Sequence, residues 1–338
     1  MMRTGNPSAG AIERKVFDFK MKGALAIFRF LVETAERGER AVLVTLTDVV
    51  GGAARSPGTH MAVSESGASI GSFSGGCIEA AVTGEALATL ANGRARRVRF
   101  GAGSPYIDIR LPCGGGIDLL FTPTPPANAM RQTLQRLEAR ETVGLLLSDK
   151  GACDVTADSA TGWTPHGFAA YHKPDPGLLI AGHGEEVLSL ARLAFASTMP
   201  VTVHSPDEET LQRAAEIGAT TNRLISTDAD AGFIIDPFTA VIFLFHDHDW
   251  EEALLPAAIA SPAFFMGAMG SQATHERRKA MLRDRGISPA DIARVTGPVG
   301  LLPRSRDPET LAISILSQVV QVAEDSVKSQ PTLEPAPR

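Results

Sequence analysis

From Gly177 onward the sequence alternates apolar runs with amphipathic stretches, four times in succession. "LLIAGHGEEVLSLARLAFAS" reads as a strand, a glycine turn and a helix. "PVTVHSPDEETLQRAAEIGA" repeats the pattern, and "TAVIFLFHDHDWEEALLPAAIA" and "AFFMGAMGSQATHERRKAMLRDRG" do so twice more. Strands joined through helices must run the same way, so this alternation predicts a parallel sheet covered on both faces. "DPETLAISILSQVVQVAEDS" adds a last helix that starts at Asp307 or Pro308. The predicted fold class is α/β, with residues 177–325 forming a Rossmann-like, doubly wound parallel-sheet domain.

The first part of the chain reads differently. Phe17 to Arg37 carries Leu25, Ile27, Phe28, Leu31 and Val32 at helical spacing. Arg40 to Val50 is a buried strand, and Thr59 to Phe73 is a strand, a turn at Ser66-Gly67 and a returning strand. A helical pattern runs from Gly75 to Leu90. Two further strands, "ARRVRF" and "GIDLLFTP", flank the loop Gly101 to Gly116. Helix Asn128 to Ala139 and strand Thr142 to Leu147 complete an N-terminal α+β domain over residues 12–148. The polar stretch 149–176 predicts a peripheral hairpin and linker, and residues 326–338 a disordered tail. Two domains suit 338 residues.

Three cysteines in a chain of this length argue against a disulfide framework. The opening "MMRTGNPSAGAIERK" lacks the apolar core of a signal peptide. No apolar run reaches the roughly 20 residues of a spanning helix. The expected compartment is the cytoplasm, with no membrane span. A net charge of −6 gives no drive toward nucleic acid.

Four places offer chemistry. At "AGHGEEV", Gly182 and Gly184 follow a strand and open a helix, the setting of a dinucleotide fingerprint. The free N–H groups of a helix N-terminus attract phosphate there. Val187 takes the third glycine position, His204 stands where a ribose-binding acid is expected, and Glu185 and Glu186 add negative charge. The bland alternative is a structural turn. At "FHDHDW", His246, Asp247, His248 and Asp249 end a strand, where ligands bind in open α/β sheets. They could ligate a metal or move protons, or one Asp could cap the next helix. At "MGAMGSQATHERRK", Gly267, Gly270 and Ser271 form a small-residue turn suited to a phosphate. Arg277, Arg278 and Lys279 follow, either reaching for an anion or forming a solvated face.

The fourth place is a pair of cysteines. Cys77 follows Gly75 and Gly76 at a predicted helix start, where a thiol can be acidified and act as nucleophile or soft ligand. Cys113 precedes Gly114, Gly115 and Gly116, where backbone can approach a large ligand. Free cysteines are more often small buried hydrophobes, but a core position does not require glycines around it. Arg55, in "GGAARSPGTHM", is aimed at an anion.

Taken together, "GGAARSPGTHMAVSESGASIGSFSGGCIEAAV", "FGAGSPYIDIRLPCGGGIDLLF", "LLIAGHGEEVLSLARLA", "HDHDWEEALLPAAI" and "FFMGAMGSQATHERRKAMLRDRGI" resemble, in that order, the xanthine dehydrogenase accessory (XdhC/CoxI) family. The resemblance runs from about Phe17 to Ala323. It implies a chaperone of molybdenum enzymes rather than a turnover enzyme. Such a protein binds molybdenum cofactor, as molybdopterin or its cytosine dinucleotide, supports its sulfuration and inserts it into a molybdenum hydroxylase apoenzyme of the xanthine dehydrogenase type. A cysteine desulfurase partner and a homodimer are also implied. By position, Cys77 and Cys113 match the family's motif cysteines, with Cys77 facing the molybdenum. Gly182 and Gly184 match its Rossmann turn, His246 to Asp249 its HDHD segment, and Gly267, Gly270 and Ser271 its late turn. Here Ser56 replaces a second Arg, His60 a Lys, His204 the acid and Gln272 an Arg. A different class stays open: an NAD(P)-dependent oxidoreductase on the Rossmann domain. A metal-dependent hydrolase built on His246 and His248 is a third.

Overall fold

The computed structural model describes residues 23–104, 111, 114–227, 231–246, 248–303, 305 and 307–328. Helix α1 (Gly23–Glu36) buries Ile27, Phe28, Leu31 and Val32 along one stripe. Strands β1 (Ala41–Val50), β2 (His60–Ser64) and β3 (Ser69–Gly71) follow, then α2 (Glu79–Asn92), β4 (Arg96–Gly101), β5 (Gly116–Pro123) and α3 (Ala127–Glu138). The strands form one antiparallel sheet in the order β3-β2-β1-β5-β4. Period-two alternation sorts its side chains. Leu43, Ala62 and Leu120 pack under α1 and α3, whereas Val42, Val44 and Leu119 pack with Val82 and Ala86 of α2.

The stretch expected to be a hairpin and linker contributes three strands. With β6 (Val143–Leu147), strands β7 (Cys153–Thr156), β8 (Gly162–Thr164) and β9 (Gly167–His172) make a four-stranded antiparallel sheet, order β7-β6-β9-β8. Its apolar side is short, Phe168 to Ala170 being the buried run, so a polar composition concealed it. Val143, Leu145, Leu147 and Cys153 complete the cluster under α1 and α3.

The remainder alternates as the sequence predicts: β10 (Gly177–Gly182), α4 (Glu185–Ala196), β11 (Val201–Ser205), α5 (Glu208–Ile217), β12 (Thr220–Arg223), β13 (Thr239–Leu244), α6 (His248–Ile259), β14 (Phe265–Ala268), α7 (Gln272–Asp284), α8 (Pro289–Ile292), β15 (Val295–Thr296) and α9 (Pro308–Lys328). All six strands are parallel, in the order β12-β11-β10-β13-β14-β15. Strand β12 went unforeseen because it is a polar, largely exposed edge. Helices α4, α5 and α9 supply the core on one face, and α6, α7 and α8 on the other. The strand order reverses between β10 and β13, and that switch point opens a crevice at the carboxyl ends of the strands.

Arg140, just past α3, joins the two halves. Its guanidinium pairs with Asp236 and donates to the carbonyls of Asp175 (3.1 Å) and Phe238 (3.2 Å). A buried histidine pair ties β2 to β9: His60 Nε2 lies 3.0 Å from His172 Nε2.

Candidate functional site

Two clusters of loops hold most of the described residues singled out by sequence. The first lies at one end of the antiparallel sheet. Pairing of Val50 with Gly116, Gly101 with Gly116, and Met61 with Gly71 brings the loops after β1, β3 and β4 to the same edge. A cleft of about 330 Å³ opens there, lined by Gly52, Ala53, Ala54, Phe73, Ser74 and Leu111 among others. Cys77 is exposed in the loop after β3. Arg55 Nε reaches across to the Ser72 carbonyl at 3.4 Å, so it links two of the loops. Cys113 lies outside the described residues.

Helix α2 begins at Glu79, not at Gly75 as the sequence pattern predicts. Residues 72–78 instead wrap around the Glu79 carboxylate. Oε1 accepts from the backbone amides of Phe73 (3.0 Å) and Ser74 (2.9 Å) and from the Ser72 hydroxyl (2.7 Å). Oε2 accepts from the amides of Gly76 (2.9 Å) and Ile78 (3.1 Å) and from the Ser74 hydroxyl (2.9 Å). Cys77 N–H donates to Ser74 Oγ at 3.0 Å. Partial burial pushes the Glu79 carboxyl up. Hydrogen bonds from the Ser74 amide and the Ser72 and Ser74 hydroxyls outweigh it and hold the group down at about 2. The N–H groups expected to face the Cys77 thiol therefore go to this carboxylate.

The glycines divide by role. Gly75 and Gly76 have φ of 76° and 121° with open space where a Cβ would stand, so they shape the turn. Gly114 is similar, with φ 68°. Gly115 and Gly116 do something else. A Cβ on Gly115 would collide with the carbonyls of Gly52 and Val50, and one on Gly116 with the carbonyl of Ala102. These two let three backbone segments close-pack and leave no room for a ligand at their α-carbons.

The second cluster lies at the switch point. A Cβ on Gly182 would overlap the Leu244 carbonyl, so Gly182 lets β10 and β13 end close together. Gly184 takes φ 86°, and its N–H donates to Thr210 Oγ1 at 3.0 Å. The Thr210 hydroxyl in turn donates to Asp207 Oδ2 at 2.6 Å, and Asp207 also accepts the Thr210 amide as the cap of α5. The N–H expected at a phosphate is thus satisfied within the protein. Glu185 pairs with Arg213 at 2.5 Å, and Glu186 sits 3.4 Å from His246 Nε2.

His246 and Glu186 share a cavity of about 770 Å³ with Gly270, Ser271, Gln272, Val299, Leu301 and Leu311 among others. Ser271 Oγ caps α7 by accepting the Thr274 amide at 3.1 Å. Gly267 makes room for the Val299 side chain. Asp247 and the side chain of His248 lie outside the described residues. Among the described residues no group of three or more His, Cys, Asp or Glu side chains is arranged to hold a metal.

Of the basic run on α7, Arg278 does reach an anion, an internal one. It is buried and forks onto Glu251 of α6 at 2.8–3.0 Å, with a further bond to the Met269 carbonyl at 2.9 Å. This pair, which sequence spacing could not reveal, braces α6 against the turn before Ser271. His204 is buried at the end of β11, 3.3 Å from Asn222 Nδ2 and edge-on to Phe233. Burial pushes its imidazole down to about 4.

A family model described as XdhC and CoxI family matches residues 34–101, and one described as XdhC Rossmann domain matches residues 178–319. The molybdenum cofactor insertion chaperone PaoD of Escherichia coli (strain K12) is 39% identical over 298 residues, covering 88% of this chain and 87% of PaoD. The chain belongs to the XdhC/CoxI family. The uncharacterized protein YqeB of the same organism is 25% identical over 166 residues, covering 46% of this chain and 29% of its own. A Bacillus halodurans protein, whose crystal structure is described as that of a xanthine dehydrogenase, superposes with a TM-score of 0.71. It covers 90% of this chain and 98% of the other at 22% identity, a likeness that speaks for the fold alone. The XdhC Rossmann match coincides with the parallel sheet, and the XdhC/CoxI match spans β1 to β4, including Cys77.

Proposed function

We propose that this chain binds molybdenum cofactor, protects it and inserts it into a molybdenum hydroxylase apoenzyme of the xanthine dehydrogenase type. It acts as a carrier, not a turnover enzyme. The observation that carries this reading is the 39% identity to PaoD along nearly the whole of both chains. The site chemistry supports it. An exposed thiol at Cys77 is a soft ligand suited to a thiophilic metal or its sulfur. The cavity beside His246 and Ser271, at about 770 Å³, is the size of ordinary cofactor pockets. Its polar groups, Ser271, Gln272 and His246, suit a pterin with a phosphate tail, as molybdopterin or the cytosine dinucleotide form.

The residues we assign to the cargo are Cys77 and Cys113 with Arg55, Gly75, Gly76, Gly114 and Gly115 shaping their loops. From the Rossmann-like part they are His246, Asp247, His248, Gly270 and Ser271, with Gly182, Gly184 and Gly267 shaping the backbone. Support for sulfuration, a cysteine desulfurase partner, a homodimer and a cytoplasmic location belong to the same proposal. No helix among the described residues is long and apolar enough to cross a membrane.

The oxidoreductase alternative needs a free amide at the glycine turn and a ribose ligand after β11. Gly184 N–H is bonded to Thr210, Asp207 is spent as a cap, and His204 is buried. Purified protein mixed with molybdenum cofactor is expected to retain molybdenum and pterin together through gel filtration, by elemental and pterin analysis. Cys77→Ala is expected to retain less while melting as wild type does. Saturable thermal stabilisation by NAD(H) or NADP(H), with none by molybdenum cofactor, overturns the proposal.

A further inference from the structure

The Glu79 carboxylate is an anion held by a ring of donors that the loop builds for it. Four backbone amides and two hydroxyls converge on two oxygens at 2.7–3.1 Å. Such a nest of N–H groups before a helix ordinarily takes a ligand anion. Here the chain supplies its own. The two oxygens divide the loop between them: Oε1 fixes Ser72 to Ser74, and Oε2 fixes the amides on either side of Cys77, those of Gly76 and Ile78. Cys77 itself is exposed, and Gly75 and Gly76 hold the positive φ values that carry it outward.

We propose that Glu79 is the positioning residue for Cys77: its carboxylate templates the loop that presents the thiol, and occupies the amides at the start of α2 that would otherwise face the sulfur. The inference rests on the reading that Cys77 faces the cargo. It assigns the carboxylate a geometric effect: bonded to the amides on both sides of Cys77, it fixes residues 74–78 and so holds the thiol outward.

Glu79→Gln releases part of the loop. The amide oxygen can replace Oε1, but the NH2 group would face the Gly76 and Ile78 amides, donor against donor. Ser74→Ala loosens the same half, by removing the acceptor of the Cys77 amide and a hydroxyl donor to both Glu79 oxygens.

Two measurements test the proposal on the full chain, with a thermal melt of each variant. The first is amide hydrogen exchange over residues 72–78, and the second is retention of molybdenum cofactor. Glu79→Gln is expected to quicken exchange in that loop while α2 stays protected, and to lower retention about ten-fold. Ser74→Ala is expected to show part of both effects, and Glu79→Asp, which restores the acceptor on a shorter arm, recovers part of the retention. Unchanged exchange in Glu79→Gln, or wild-type retention in a variant whose loop exchange has quickened, overturns the proposal. If Glu79→Gln does not fold, both are read in Ser74→Ala, where wild-type values overturn it. Normal retention by Cys77→Ala sinks the cargo reading instead, and leaves the exchange result standing by itself.

Discussion

Gly75 and Gly115 sit in glycine runs that look alike in sequence and are held for opposite reasons. Gly75 needs its φ of 76° and has empty space beside it, whereas Gly115 needs the space that the Gly52 and Val50 carbonyls fill. Gly75→Ala is therefore expected to lose about 1–2 kcal/mol, the left-handed penalty of a side chain. Gly115→Ala is expected to lose about 3 kcal/mol or more, because backbone cannot move aside as a side chain can. Urea unfolding of the two variants measures the difference, and equal losses would refute the division. The sequence made these glycines legible as constrained positions, but the constraint lies in which atoms arrive from elsewhere in the chain. Arg278 is a second instance. Its run of basic residues leaves both an anion contact and a solvated face open in sequence, because its partner Glu251 is 27 positions away; both side chains are almost fully buried. Removing one member leaves a buried charge unpaired, so Glu251→Gln is expected to lose about 3–5 kcal/mol in the same assay.

At the level of elements, the alternation of strand and helix was readable because each element carries its own period and its own punctuation. Asp307 accepts the Thr310 amide at 2.8 Å as the cap of α9, and Ser271 caps α7, as their positions before helical runs suggest. The start of α2 was misplaced by four residues, since "GGCI" has small residues compatible with a helix while the Glu79 carboxylate draws their amides away from one. Strand β12 buries too little to show a pattern, and the stretch expected to be a hairpin and linker hides a third strand because the buried run of β9 is short and set among polar residues. Asp207 shows how a cap can also decide a binding site. It holds Thr210, and Thr210 holds Gly184 N–H. Asp207→Ala is expected to lose about 1 kcal/mol from the α5 cap, and to leave the Gly184 turn free to rearrange. Amide hydrogen exchange read at Gly184 and Thr210 should quicken in that variant while α9 stays protected. Unchanged exchange at Gly184 would mean that Thr210 is not what holds it.

For the molecule as a whole, the parts are joined by polar contacts buried between sheets, and these make stability depend on pH. His60 and His172 meet at 3.0 Å between β2 and β9, with Thr45 Oγ1 2.8 Å from His60 Nδ1 and the Phe28 ring edge-on to both. Burial, then the charge of His172, holds the His60 imidazole well below its ordinary value, and burial takes His172 down to about 4. His204, on the parallel sheet, is likewise down at about 4. All three are neutral in the folded protein at pH 6 and begin to protonate near 6.5 once unfolded. The unfolded state then binds more protons, so stability is fully present above pH 6.5 and is lost as pH falls toward 4. Each histidine contributes a slope of up to about 1.4 kcal/mol per pH unit, or about 3 kcal/mol for His172 across that window. Carboxylates do not confuse the upper part of it: Glu79, held at about 2, starts to weaken the fold only below its unfolded value of 4.5. The urea midpoint is thus expected to fall between pH 6.5 and 4.5. His172→Gln, which keeps a hydrogen-bonding partner for His60 but cannot titrate, should flatten the profile in that interval. A wild-type profile level from pH 7 to 5 would show that the pair is already charged or already open to water.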